Sequence, residues 1–445
     1  MRSPAGFMHT VVIGALIGSV LISPLLMATP PAHAADGTRT RSESQVTTYL
    51  TVEERQIVNI GAPASSAGDT TITRGSAAMT DGGATVGTFA TRVVVVMPDA
   101  NGRERRDTTV HVSMPSGALY AQQIQDDPTG LPPNTASDLV ILGGTGDFRN
   151  ARGVVSMAPA AASVLKLTWN LSPNVGIDPE QATTIAFERL VNFTSSGQTT
   201  NDINTLSQDG SQGRLRMKGE DGTFTCGDGK LAQSRTGGIG LDSWLCRYDL
   251  PSGSVLVAAF SQYRTGAAWP TKFTDIILGG TGAYAGVRGE AVTDCTSKTA
   301  ADVTLRLLND TSLPPVPVKF RQDRTYKTFG GLDLADATVI YAGATASQFA
   351  RGTKQVVGTS ASLFVSSFAL PEAEGFRRSF GVYTFSLRGG TIRAVAYDEG
   401  PTGAGSPTRT LVVTGGTGVY LGATGTIELI AGKITNERTV VRIAQ

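Results

Sequence analysis

Only three histidines occur in the 445 residues, and that number bounds the chemistry before any fold is considered. His9 and His33 lie in an N-terminal stretch that reads as removable, which leaves His111. A metal site built from several imidazoles is thereby excluded, and a Ser-His-Asp triad would have one imidazole to draw on. No metal and no cofactor are expected. The other soft nucleophiles are Cys226, Cys246 and Cys295, all in the middle of the chain. In an exported protein two can pair, and Cys226 with Cys246 is preferred because both lie in strand-like runs flanking a glycine-rich turn. Cys295 is then an odd thiol, and such thiols are more often buried than reactive.

A glycine motif offers a different chemistry. Val412-Val413-Thr414-Gly415-Gly416-Thr417-Gly418 looks like a turn that lets backbone approach a dinucleotide pyrophosphate. The stretch from Gly418 to Gln445 is too short for such a domain, and it reads as turn then strand rather than helix. The motif also recurs. Leu142-Gly-Gly-Thr-Gly-Asp-Phe-Arg-Asn-Ala-Arg-Gly153 returns as Leu278 to Gly289 and as Thr414 to Gly425. Its first glycines are Gly143, Gly279 and Gly415, so the step is the same both times. Glycines of the turns at Gly117, Gly253 and Gly389 keep that interval. An acid followed by arginine marks the start of each unit at nearly the same spacing, as Glu54-Arg55, Glu188-Arg189 and Asp323-Arg324. A repeated motif late in each unit is a device of the fold, bending a strand end and seating the aromatic at Phe148, Tyr284 or Tyr420 over it.

The elements that must carry these residues are strands. Gly87 to Val96, Thr108 to Met114 and Ala118 to Ile124 alternate with period two between Gly, Pro, Asp and Asn turns, and the later units repeat them. Seven or eight antiparallel strands per unit suit a closed barrel, which leaves no exposed edge. The units span 40–172, 178–310 and 316–445, joined by proline-bearing linkers at Asn170 to Gln181 and Asn309 to Pro317. Residues 1–34 read as a signal peptide, with Arg2, an interrupted apolar run from Val11 to Met27, and Ala32-His33-Ala34 as the cleavage site. The expected location is secreted or periplasmic, with no membrane anchor. Without Arg2 the basic and acidic residues are equal in number, which excludes a nucleic-acid partner dependent on clustered positive charge.

The motif Gly-Gly-Thr-Gly-x-aromatic-x-x-Ala-x-Gly after an apolar strand resembles the signature of the allene oxide cyclase and dirigent families. Unit 3 departs from it, with Thr424 where units 1 and 2 have Arg152 and Arg288. The resemblance implies three tandem eight-stranded antiparallel β-barrels, and in those families single barrels assemble as trimers. The expected assembly here is a monomer with pseudo-threefold packing, each barrel's apolar surface buried against the other two. A first-strand carboxylate facing the cavity is the family's catalytic group, and carried over by position it falls on Glu54, Glu188 and Asp323. A one-residue change of register would make Glu53 the inward group in unit 1. His111 is expected outward and solvated, while Tyr120, Tyr263 and Tyr397 are expected to line a cavity or pack. Two functions follow. One is binding a small apolar molecule in a barrel and steering its cyclisation or coupling, an isomerase-like or dirigent-like activity. The other is a non-catalytic binding or structural module with side-chain-filled barrels.

Overall fold

The computed structural model describes residues 44–444 except 59–68, 99–103, 127–136, 172–181, 201–204, 233–238, 265–270, 298, 309–315, 335–336, 351–355, 370–375, 402–407 and 432–435. Segment 1–34, read as a signal peptide, and most of both proline-bearing linkers lie outside the described residues. The first eight strands are β1 (Ser44–Val58), β2 (Thr70–Ala78), β3 (Thr85–Pro98), β4 (Glu104–Met114), β5 (Gly117–Asp126), β6 (Ser137–Gly144), β7 (Gly153–Ala161) and β8 (Val164–Leu171). Each pairs antiparallel with the next, and β8 returns to β1, closing a barrel. A second barrel runs from β9 (Thr183–Thr200) to β16 (Ala300–Leu308), with β9 pairing both β16 and β10 (Thr205–Arg216). From β17 (Val316–Leu334) to β24 (Asn436–Ala444) a third sheet has the same neighbour order, with β24 beside β17. Among the described residues no helix is long and apolar enough to cross a membrane.

The alternation of apolar and polar side chains decides which face of each strand turns inward. On β4, Val110 and Val112 join the barrel core, whereas Asp107, Thr109 and His111 face outward. The first interior is filled. Leu50, Phe89, Leu119, Leu139, Ile141 and Trp169 are fully or almost fully buried together, and Trp169 Nε1 donates to Thr48 Oγ1 at 3.0 Å. That bond matters, because a buried indole N–H without an acceptor would cost about 1–3 kcal/mol.

The glycine motif sits where the three units meet. Strands β6, β14 (Lys272–Gly280) and β22 (Thr408–Gly416) contact one another. A single apolar cluster there draws Ile72, Tyr120 and Leu142 from the first unit, Leu256, Ile276 and Leu278 from the second, and Phe380, Val395 and Val412 from the third. At about 1.5–3 kcal/mol for each fully buried large apolar side chain, this cluster makes docked units more favourable than separated ones. The contacts are cyclic. A Cβ added at Gly143 would touch Ile276 at 3.5 Å. One at Gly279 would lie 2.5 Å from Val412 Cγ1, and one at Gly415 closer still to Val140 Cγ1. Val140, Ile276 and Val412 are themselves spaced by the repeat interval. The motif's first glycine is thus the space into which the neighbouring unit's β-branched residue fits.

After each motif strand comes one 3-10 turn, Gly146–Phe148, Gly282–Tyr284 and Gly418–Tyr420, whose aromatic packs against its own unit's core. A left-handed residue follows at Asn150, Gly286 and Gly422, with φ of 62°, 81° and 75°. Asparagine is among the few side chains that tolerate this conformation, which explains how unit 1 dispenses with glycine there.

Candidate functional site

The register of the first strands corrects the alignment that placed the three acids together. Last-strand residues Leu165, Ala301 and Glu437 keep the repeat interval, and they pair with Leu50, Arg189 and Gln322. The equivalent first-strand positions are therefore Leu50, Arg189 and Gln322, which are unequally spaced. Glu54, Glu188 and Asp323 are not equivalent to one another. A bulge between Val52 and Glu54 leaves Glu53 without an opposite partner in the ladder. Glu54 then lies opposite Arg74 on the outer face that also carries Ile72, and it accepts from Arg74 and from the Gln56 amide. Glu188 points outward between the inward Phe187 and Arg189, and it meets Arg216 Nη1 at 2.9 Å. The side chain of Asp323 lies outside the described residues, as do those of Tyr263 and Tyr397.

The second barrel instead turns a different set of polar groups inward. Arg189 projects from β9 beside Phe187 and Val191, with its guanidinium 5.5 Å over the Phe224 ring. Its Nη1 donates to Tyr248 Oη at 3.5 Å, and Tyr248 is held between Phe187 and Phe224. Asp275, 3% exposed, enters from β14 on the same face as Ile277. Burial pushes its carboxyl up to about 8, against the opposing pull of a Trp244 hydrogen bond and of Arg189. Trp244 packs edge-on to Phe273 at 5.3 Å, and both are half-buried. Cys295, also half-buried and free of a disulfide, has its thiol pushed up by burial first, with Arg189 pulling it back. Cys226 and Cys246 face each other across neighbouring strands of the same interior and form the disulfide that the sequence indicated.

Comparison between units gives this cluster its meaning. In the first barrel, Leu50 stands where Arg189 stands, Leu139 where Asp275 stands, and Val112 where Tyr248 stands. In the third unit Leu411 and Phe385 occupy the last two positions. One frame therefore carries an apolar plug in one copy and an acid, an arginine and a phenol in another. Trp244, Phe273, Arg189 and Cys295, all half-buried, share the interior face with the buried Asp275. A protonated carboxyl in such surroundings can give up a proton near neutral pH, with the arginine beside it to stabilise the anion left behind. Sequence reasoning missed Asp275 because it follows Thr274 in an otherwise apolar strand. Its one signal was the leucine one repeat before, Leu139, and one repeat after, Leu411.

A concavity of about 660 Å³ lies between the first two units. His111 lines it, outward from its barrel as expected, but 6% exposed rather than solvated, because the second unit covers that face. Its imidazole stacks on Tyr120 at 4.4 Å, and burial pushes its pKa down to about 3, so it is neutral at physiological pH. Across the cleft Glu290 holds Arg306 at 2.7 Å and Arg149 of the first unit at 4.0 Å.

These features define an all-β protein with two closed eight-stranded antiparallel barrels and a third sheet, in which the second barrel's interior carries buried polar groups. Among solved structures, pyocyanin demethylase matches with 17% identity and a TM-score of 0.26, covering 29% of this chain and all of that one. No family model and no curated protein matches.

Proposed function

We propose that this chain is an exported protein of three allene oxide cyclase or dirigent-type barrels, in which the second barrel takes up a small, largely apolar molecule bearing one polar group. The observation that carries this reading is the replacement of Leu50, Leu139 and Val112 by Arg189, Asp275 and Tyr248 on an otherwise equivalent frame. Trp244 and Phe273 supply the apolar contact, and Arg189 with Tyr248 supplies a donor pair for the polar group. Asp275, protonated at neutral pH, transfers its proton to that group. The resulting carboxylate is stabilised by Arg189 and the Trp244 N–H until the ligand returns a proton from another atom, so the step isomerises without a net change in composition. The third sheet serves as a third barrel of the same type, and the first, filled barrel as scaffold; the reading as a structural module fits that unit, where Trp169 and its neighbours leave a packed interior.

The test uses a defined probe, 1-anilinonaphthalene-8-sulfonate, which joins apolar rings to an anionic group. It is expected to bind the full chain with quenching of Trp244 emission, and Arg189→Leu is expected to weaken binding at least about tenfold, the scale of one lost charge-assisted hydrogen bond. Leu139→Met in the first barrel should change nothing. Unaltered binding in both Arg189→Leu and Asp275→Leu would remove the second barrel as the site. Amino-terminal sequencing of protein recovered outside the cytoplasm tests export, with Ala35 expected as the first residue.

A further inference from the structure

The units meet around a set of buried arginines that neither the glycine motif nor the second barrel's interior requires. Arg152 and Arg288 are equivalent, one repeat apart, and Thr424 completes the set in the third unit. Because Ala151 and Val287 belong to the barrel cores, Arg152 and Arg288 point outward, toward the neighbouring unit. Arg288 is 1% exposed. Its Nη2 donates to the carbonyls of Val413 and Ala423 in the third unit, at 3.2 and 3.5 Å. Its Nε and Nη1 have no hydrogen-bond partner among the described residues.

Charge is as unbalanced as hydrogen bonding. The groups whose charges reach Arg288 are Arg152 and Arg393, both positive, and with burial as the larger cause they drive its pKa well down. Arg393, also 1% exposed, is occupied elsewhere: it donates to Thr414 Oγ1 at 2.6 Å and to the Gln122 carbonyl, while the Gln122 amide binds Asp107 at 2.7 Å. Asp107 is shared further with Arg92 at 3.4 Å. Glu290, two residues along from Arg288, is engaged by Arg306 and Arg149. Arginine does not shed its proton inside proteins, so a buried guanidinium with no acid in reach among the described residues requires a counterion. Water would satisfy the two donors and leave the charge.

We propose that a monatomic anion of halide size binds at the meeting of the three units, on Nε or Nη1 of Arg288 and within the field of Arg152. The surroundings favour the smallest anions. On the Gly279 side of Nη1 the space is already closed by Val412, since a Cβ added at Gly279, 3.5 Å from that nitrogen, would lie 2.5 Å from Val412 Cγ1, which leaves no room there for a polyatomic ion. Such an ion ties the second unit to the third, because Arg288 also holds the third unit's carbonyls.

The full chain crystallised in bromide and measured at the bromine edge is expected to show an anomalous peak within hydrogen-bond distance of Arg288. In solution, chloride replacing gluconate at constant ionic strength is expected to raise the unfolding temperature saturably, and Arg288→Thr should lose that saturable rise. Thr424 shows that threonine is accommodated at this position in the third unit, and Arg288→Lys, which keeps the charge, should retain part of the effect. Ordered water without anomalous signal at Arg288, or an equal chloride response in wild type and Arg288→Thr, overturns the proposal.

Discussion

Replacing Asp275 by asparagine should make the protein progressively more stable than wild type as pH rises. Asp275 ionises near 4 in the unfolded chain and at about 8 in the folded one. Between those values the folded state holds a proton that the unfolded state has released, so rising pH favours unfolding. The cost is nil below pH 4, grows by about 1.4 kcal/mol per unit, and is complete above pH 8 at about 5–6 kcal/mol. His111 works in the opposite sense. Its folded pKa of about 3 lies below the usual 6.5, so stability falls as pH drops from 6.5 toward 3. Wild type should therefore be nearly level between pH 4 and 6.5, where the two slopes cancel, and should decline from 6.5 to 8. Asp275→Asn removes the decline and leaves a rise to 6.5. Urea unfolding of both proteins at pH 5, 6.5 and 8 reads the difference directly, expected to widen by about 4 kcal/mol across that range. A difference independent of pH would refute the reasoning, since loss of the Trp244 hydrogen bond or of packing carries no such slope.

The motif glycines should differ in tolerance although their sequences match. Gly143→Ala meets ordinary contact and should cost under about 1 kcal/mol, whereas Gly279→Ala and Gly415→Ala combine close approach with φ of 149° and 150° and should each cost about 2–4 kcal/mol by thermal unfolding. Reducing the Cys226–Cys246 disulfide, which closes a 20-residue span, should destabilise the chain by about 3 kcal/mol, read as a lower urea midpoint for the reduced protein. Trp169→Phe removes the donor to Thr48 in a packed interior and should cost about 1–2 kcal/mol without altering probe binding in the second barrel. Light scattering is expected to give the mass of one chain, because the apolar faces of the three units are already covered by one another; a mass of three chains would mean that this coverage is incomplete.

Much of the architecture was legible because period-two alternation and the constant repeat interval both report on geometry. Strand pairing keeps that interval from Leu119 opposite Gly144 to Val255 opposite Gly280. The interval fails where the units are not copies at constant spacing. The paired turn glycines are Gly117, Gly253 and Gly390, so Gly389 is one position out. The first strand of the second unit is displaced from the interval, since Arg189 rather than Ala186 answers to Leu50, while Gln322 of the third unit falls back on it. The acid-arginine pairs fell at similar spacing by coincidence of composition, and only the ladder to the last strand shows which first-strand residues correspond. His111 illustrates another limit: the variation among its aligned positions, Arg247 and Tyr383, pointed to the correct outward face, but its burial depends on a neighbouring unit, which sequence pattern does not register.

Joining three units in one chain changes what each position must satisfy. In a trimer of identical chains every interior and every axial residue appears three times, so an acid placed inside one copy is placed inside all, with its desolvation cost tripled. Here Asp275 is confined to one barrel, while Leu139 and Leu411 keep the other two frames apolar. The same freedom acts at the axis. Arginines at all three equivalent positions, Arg152, Arg288 and Thr424, would crowd three buried positive charges together. Thr424 instead reduces them to two at that level and places a neutral hydroxyl next to Gly286, whose added Cβ would lie 3.4 Å from it. Arg393 adds a third positive charge from a position that is Tyr120 in the first unit and Leu256 in the second, and it is compensated through Gln122 and Asp107 of the first unit rather than within its own. The asymmetric substitutions thus fall on the two surfaces that strict threefold symmetry would constrain most, the barrel interior and the axis. Such substitutions would let a single copy carry the site proposed for the second barrel while its neighbours hold it in place.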